Sequence, residues 1–251
     1  MINVLLSGVC GKMGKNVVAC LDNDKDAKIV CGVDIADEYC SFPVYHSFDD
    51  VTSIPDVIID FSNVVVLDKL LKFAISNKVP AVLAVTGYDE KQIATIKKAS
   101  KLIPIFFTAN MSLGVNLLCS LVKKAAAVLA DDFDIEIIEK QHNQKLDSPS
   151  GTAIMLANSV NDIFNDRFTY EYDRHSKRAK RTQSEIGIHS VRGGTIVGEH
   201  DVIFAGRDEV ITLSHSATSK EVFAIGAIKA AKFIFDKEPG LYDMNDILNL
   251  K

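Results

Sequence analysis

Short apolar runs recur through the first hundred or so residues, at Asn3–Leu6, Ile29–Val33, Val57–Ile59, Ala81–Val85 and Ile103–Phe107. Between several of them lie stretches with helical spacing, such as Val65–Ile75 and Glu90–Lys98. A strand that is apolar on both faces must be covered on both faces, and intervening helices supply the cover. The pattern predicts an α/β fold, a doubly wound parallel sheet.

The pattern changes after about Asn116. A helix is predicted over Val115–Leu129, with apolar positions at Leu117, Leu118, Leu121, Ala125 and Leu129. Phe133–Ile137 then alternates as a half-buried strand does. A second helix is predicted from Gly151 to Ile163, followed by strands at Glu185–Val191, Thr195–Phe204 and Glu209–Ser214. Gly193-Gly194 and Gly206-Arg-Asp208 separate these strands with turn chemistry. This describes a second domain with a mixed or antiparallel sheet. A last helix, about Lys220–Phe235, presents Phe223, Ala227, Ala230 and Ile234 on one face.

At 251 residues the chain can form one large domain or two modest ones. A net charge of −5 gives no general attraction to nucleic acid or to an anionic membrane. The basic segment Arg167–Arg181 is read as a solvated surface loop, because the whole chain is acidic and Glu171, Asp173 and Glu185 lie nearby. No apolar stretch is long enough to span a bilayer. The N-terminus reads as a strand, not as a signal peptide, and a cytoplasmic location is expected. The five cysteines are odd in number and scattered, which favours reduced thiols. No metal site is expected.

The first strand leads into Gly8-Val9-Cys10-Gly11-Lys12-Met13-Gly14. Glycine at the strand end permits a tight turn, and glycine at the helix start lets a pyrophosphate approach the backbone. The third glycine lets helix and sheet pack closely. The second strand ends at Asp34, about twenty residues further on, where a carboxylate can accept from ribose hydroxyls. Strand, glycine turn and helix together point to a dinucleotide site. A carboxylate repels a 2′-phosphate, and Ile35 and Ala36 follow it without a cation, leaving Lys12 as the one cation of the loop. NADH is therefore expected as the preferred cofactor, with NADPH possible.

The run Glu139-Lys-Gln-His-Asn-Gln-Lys-Leu-Asp-Ser-Pro-Ser-Gly-Thr-Ala153 sets His142 and Lys145 just ahead of a helix start at Ser150-Gly151-Thr152. Helix starts hold anions through free N–H groups and a partial positive charge. A lysine and a histidine beside one make a pocket for a small dicarboxylate that must also receive a proton.

This run closely resembles the substrate-binding signature of the 4-hydroxy-tetrahydrodipicolinate reductase (dihydrodipicolinate reductase) family. Asp60-Phe-Ser62, Ala84-Val85-Thr86-Gly87 and Thr108-Ala109-Asn110-Met111-Ser-Leu-Gly-Val-Asn116 resemble family segments that line cofactor and substrate. Arg192-Gly-Gly194 and Val197-Gly-Glu-His-Asp201 resemble it too, with His200 read as structural. The resemblance implies a Rossmann-like domain over residues 1–110 and 218–251, and an α+β substrate domain of mixed sheet over 111–217. It implies an oxidoreductase of lysine and diaminopimelate biosynthesis, a homotetramer built through the second domain. Lys145 is implied as proton donor, with His142, Ser150, Gly151, Thr152 and Thr86 as substrate ligands. The family's other acid–base group, usually a histidine, falls at Gln141, whose amide cannot act as a general acid. Two alternatives stay open: a reductase of another small imine or keto acid, and a nucleotide-binding relative with impaired catalysis.

Overall fold

The structure of the chain, a computed structural model, describes residues 1–36 and 38–249; Leu250 and Lys251, which the sequence reading places in the first domain, lie outside it, as does Asp37. The described residues form two compact units, residues 1–112 with 220–249, and Leu113–Ser219.

The first unit is Rossmann-like. Its strands are β1 (Ile2–Ser7), β2 (Ala27–Val33), β3 (Val44–Tyr45), β4 (Val57–Asp60), β5 (Ala81–Leu83), β6 (Pro104–Phe107) and, from the end of the chain, β12 (Gly240–Tyr242). All pair in parallel, in the order β12-β6-β5-β4-β1-β2-β3. Every residue of β4 and β5 is buried, as strands covered on both faces require. Helices α1 (Lys12–Leu21), α2 (Leu67–Asn77), α3 (Glu90–Ala99), α6 (Glu221–Ile234) and α7 (Met244–Leu248) belong to this unit. Asp89 and Gln92 close a capping box that starts α3. Leu5, Ile58, Leu70, Leu83, Ile96 and Ile105 are among the residues that fill the core.

The second unit is a mixed sheet with two helices. Strands β7 (Asp134–Gln141), β8 (Thr169–Glu171), β9 (Glu185–Arg192), β10 (Gly198–Ala205) and β11 (Val210–Ala217) lie in the order β11-β10-β7-β9-β8. The β7–β10 and β10–β11 pairs are antiparallel, while β7–β9 and β8–β9 are parallel. Helices α4 (Leu113–Leu129) and α5 (Gly151–Asn161) carry Leu118, Val122, Leu156 and Val160 into a core shared with Ile135, Ile137, Val202 and Phe204.

Four differences from the sequence reading stand out. The apolar stripe read for α4 does not match the buried one: Leu118 is buried, but Leu117 and Leu121 are each 43% exposed, and Val115, Cys119, Val122 and Ala126 turn inward instead. The helix α6 is not the last element, since β12 and α7 follow it. The strand read from Thr195 begins at Gly198. Finally, the basic segment is more than a solvated loop. Residues 169–171 form β8, and Arg181 donates to the carbonyls of Ile135 and Glu185 and pairs with Asp134 and Glu136.

Candidate active site

The glycine loop is built by exclusion. Gly8 has φ +79°, a left-handed value that favours glycine, and a Cβ there would lie 2.8 Å from the backbone of Phe61. A Cβ on Gly14 would overlap the carbonyl of Gly8 and come within 2.6 Å of that of Val9. Gly11, at the N-cap of α1, has extended backbone and no side chain with which to cap the first turn. The N–H groups of that turn are therefore presented to whatever occupies the loop. Val9 is buried and turns its side chain inward, against Gly32. Gly11 and Lys12 are exposed, and Met13 is half-buried.

Asp34, at the end of β2, is clamped to this loop. Its Oδ2 accepts from the Cys10 N–H at 2.9 Å and its Oδ1 from the Ala36 N–H at 3.1 Å. A carboxylate has about four lone-pair sites, so two stay available to ribose hydroxyls. The nearest basic residue after Lys12 is Lys15, which pairs with Glu38 at 2.8 Å. This donor set fits a dinucleotide: a cradle that Cβ atoms would fill, an open helix start and an acceptor for ribose.

Three more strand ends carry the other residues assigned to the cofactor. Asp60 ends β4 fully buried, opposite Ser7 of β1. Its Oδ1 accepts from the N–H and the hydroxyl of Ser62, at 3.1 and 2.5 Å. Burial pushes its pKa up. The hydroxyls of Ser7 and Tyr88 are near enough to oppose that rise, yet neither reaches Oδ2 with the length and angle of a hydrogen bond. Burial, and then the charge of Asp60, push the Tyr88 phenol well up. After β5, Ala84 donates its N–H to the Asp60 carbonyl at 2.9 Å, Val85 is half-buried, and Thr86 and Gly87 are exposed, with Gly87 at φ +88°. After β6, the Thr108 hydroxyl donates to the Asn110 carbonyl at 3.4 Å, and Asn110 Oδ1 accepts from the Ser112 N–H at 2.8 Å. Ala109 is exposed, whereas Met111 is only 4% exposed, and Gly226 of α6 leaves room for its carbonyl.

In the second unit the run from Glu139 to Ala153 forms one connected network. The alternation of β7 turns Ile135, Ile137, Glu139 and Gln141 to the buried face. Ser150 caps α5, its hydroxyl accepting from the Ala153 N–H at 3.2 Å, while its own N–H donates to Glu139 Oε1 at 3.3 Å. Glu139 is fully buried and pairs with Arg192 at 2.6 Å. The same arginine nitrogen donates to the Asp147 carbonyl at 2.8 Å. Lys145 pairs with the Asp147 carboxylate at 2.9 Å, and this hydrogen bond holds Asp147 below the usual carboxylate range. The Lys145 N–H also donates to the His142 carbonyl at 3.2 Å. Gln141 is 9% exposed, its backbone carbonyl accepts from the Gly193 N–H at 2.9 Å, and a Cβ on Gly198 would lie 3.8 Å from both its side-chain amide nitrogen and the His200 ring. Gly151 is exposed and Thr152 half-buried in the first turn of α5.

His200 has a direct part in this network. Its Nε2 lies 3.1 Å from the Ser150 hydroxyl, and its ring is 4% exposed. Burial lowers its pKa to about 4, so the imidazole is neutral near pH 7. Neither this contact nor the Glu139–Arg192 pair was read from the sequence. A signal was available for both. The alternation of Phe133–Ile137, carried on by two and four residues, turns Glu139 and Gln141 inward. In β10 the same period places His200 in line with Val202 and Phe204.

The sequence matches the family model described as dihydrodipicolinate reductase, N-terminus, over residues 2–111, and that described as dihydrodipicolinate reductase, C-terminus, over residues 114–248. It is 52% identical over 248 residues to the 4-hydroxy-tetrahydrodipicolinate reductase of Caldanaerobacter subterraneus, covering 99% of this chain and 98% of that one. It is 47% identical to the enzyme of the same name from Clostridium botulinum, covering 100% and 99%. Its fold is similar to a dipicolinate-bound dihydrodipicolinate reductase from Paenisporosarcina, with a TM-score of 0.84, 24% identity and 99% coverage of both chains. The chain belongs to the dihydrodipicolinate reductase family.

Proposed function

We propose that the start of α5, with Lys145 and His142, binds and protonates the substrate of this oxidoreductase. The enzyme catalyses NAD(P)H-dependent reduction of 4-hydroxy-tetrahydrodipicolinate to tetrahydrodipicolinate, with loss of water, in lysine and diaminopimelate biosynthesis. The observation that carries the site is the network itself: the cap of α5, the ammonium of Lys145 and the His142 loop are tied together through Asp147, Arg192 and Glu139.

Each residue has a task set by its chemistry. The N–H groups at Ser150, Gly151 and Thr152 meet carboxylate oxygens, as helix starts meet anions. His142 donates to a carboxylate, and Thr86 is a further proposed substrate ligand through its hydroxyl. Lys145 supplies the proton, and Asp147 keeps its ammonium placed between turnovers. Gln141 supplies hydrogen bonds but no proton, so Lys145 with water carries the acid step alone. The loop from Gly8 to Gly14 (Gly8, Val9, Cys10, Gly11, Lys12, Met13 and Gly14) holds the dinucleotide with Asp34. Ala84, Val85, Thr86, Thr108, Ala109, Asn110 and Met111 line its nicotinamide half. The cofactor, when bound, supplies the hydride.

NADH is the preferred cofactor. Asp34 faces the ribose site, and Lys15 is already engaged by Glu38, so a 2′-phosphate gains little and meets a negative charge. The enzyme is a cytoplasmic homotetramer. Family resemblance supports this assembly, and apolar residues of the second sheet, Val191 on β9 and Val210 and Ile211 on the edge strand β11, are exposed for it.

The test is NADH oxidation coupled to freshly generated substrate. Turnover is expected, and Lys145→Ala should lower kcat by about 10²–10⁴-fold, the range of general acid catalysis, with NADH affinity nearly intact. Turnover of another imine or keto acid in place of this one would move the assignment, and NADH binding without any turnover would make the chain a sensor. A kcat/KM for NADPH equal to or above that for NADH would refute the cofactor preference. Sedimentation would reveal any assembly other than four copies.

A further inference from the structure

The Ser150 hydroxyl has one proton to give and two lone pairs with which to accept. One lone pair takes the Ala153 N–H, at 3.2 Å, as the cap of α5. The second group against it is His200 Nε2, at 3.1 Å, and which of the two donates depends on the tautomer of the imidazole. If Nε2 were the bare nitrogen, the hydroxyl would give its proton to His200 and would have none for a ligand.

The other ring nitrogen decides the matter. His200 Nδ1 is buried and meets no hydrogen-bond partner among the described residues. The residues opposite it in the sheet are Glu139 on β7 and His215 on β11, and neither reaches it. A neutral imidazole carries a single N–H. A buried N–H with no acceptor is rarer and more costly than a buried lone pair with no donor. The proton therefore belongs on Nε2, where an acceptor stands, and Nδ1 is left bare. The low basicity of the buried ring agrees with a neutral state.

We infer that His200 is a positioning residue for the substrate carboxylate: its Nε2–H fills the second lone pair of Ser150 Oγ, so that the hydroxyl is left only as a donor to the ligand. The inference rests on the reading of the α5 start as the substrate site. A hydroxyl with both lone pairs occupied favours an acceptor such as a carboxylate, and disfavours an amide N–H or a protonated acid at the same place.

The full-length enzyme, labelled with ¹⁵N-histidine, should show His200 neutral at pH 7 with its proton on Nε2. Calorimetry with pyridine-2,6-dicarboxylate should show His200→Leu weakening the affinity about tenfold, roughly the worth of one hydrogen bond to a charged group. The KM for substrate should rise in parallel and the NADH affinity should stay level. His200→Gln, which keeps a side-chain N–H, should recover part of the loss. An Nδ1–H tautomer, an imidazolium at pH 7, or a folded His200→Leu enzyme with unchanged dicarboxylate affinity would overturn the inference. The tautomer measurement stands even if the leucine variant does not fold. The two readings fail differently. Should Ser150→Ala leave dicarboxylate binding untouched, the α5 site itself is wrong and this inference falls with it. Should Ser150→Ala weaken binding while His200→Leu does not, only the role of His200 is lost.

Discussion

Buried single residues set the sharpest expectations here. His200 has its pKa lowered to about 4 by burial, against an ordinary value of 6.5. A depressed folded-state value means that the unfolded chain takes up the proton first as the pH falls. The stability due to the neutral ring is whole above pH 6.5 and is lost as the pH falls toward 4. Each tenfold drop in proton affinity is worth about 1.4 kcal/mol, so the ring accounts for about 3 kcal/mol over that window. Urea unfolding from pH 7 to pH 4 should show this loss in the wild type and a flatter profile in His200→Gln. Gly14 is the second case. A Cβ there would overlap the Gly8 carbonyl, so Gly14→Ala should cost about 1–3 kcal/mol, the usual range for overpacking, and weaken NADH binding. Thermal unfolding and fluorescence titration of NADH check the two effects. The glycine was legible in the sequence because its spacing is local. The state of His200 was not, because Ser150 is 50 residues away along the chain.

At the scale of elements, helix starts were easy to read and buried faces were not. The start of α5 stood out from Pro149 and Ser150, and Ser150 does cap it. The buried stripe of α4 was misread because the helix is apolar nearly all round, and periodicity cannot choose a face when most positions are apolar. The arginines near β8 carried the opposite lesson. Arg181 looked like a surface charge, yet its guanidinium reaches two carboxylates and one carbonyl at the start of β7, the carbonyl of Glu185 at the start of β9 and that of its neighbour Thr182. Arg181→Ala takes a donor from those carbonyls and from Glu136 Oε1, leaving Glu136 with His189 at Oε2, and should cost about 2–4 kcal/mol in urea unfolding, somewhat less than the ~3–5 kcal/mol for breaking a fully buried pair. An unchanged midpoint would return the segment to the solvated loop that its composition suggested.

At the scale of the molecule, the chain fills two separate cores; the residues proposed for the dinucleotide lie in one unit, and Lys145, His142 and the start of α5 lie in the other. Each ligand should therefore stabilise the protein without the other. At a hundredfold excess over its Kd, NADH or pyridine-2,6-dicarboxylate alone should add about 2.7 kcal/mol, seen as a rise in Tm. NADPH at the same concentration should raise Tm less than NADH. Hydrogen exchange should place the NADH protection in the residues from Val9 to Met13, and the dicarboxylate protection at Gly151–Ala153. Protection by the dicarboxylate elsewhere, with none at α5, would remove the substrate pocket from its assigned place.

By itself the sequence determined the parallel sheet, the glycine cradle, the acid at the end of the second strand and the start of α5. Each of these depends on neighbours within a few residues or on a regular period, and a linear string records both. Only the tertiary structure decided which face of α4 is buried, what Arg181 holds, and that Glu139, Arg192 and His200 stand behind Lys145 and Ser150. Those outcomes turn on burial and on partners tens of residues apart, where the loss of water makes one pairing far better than its rivals.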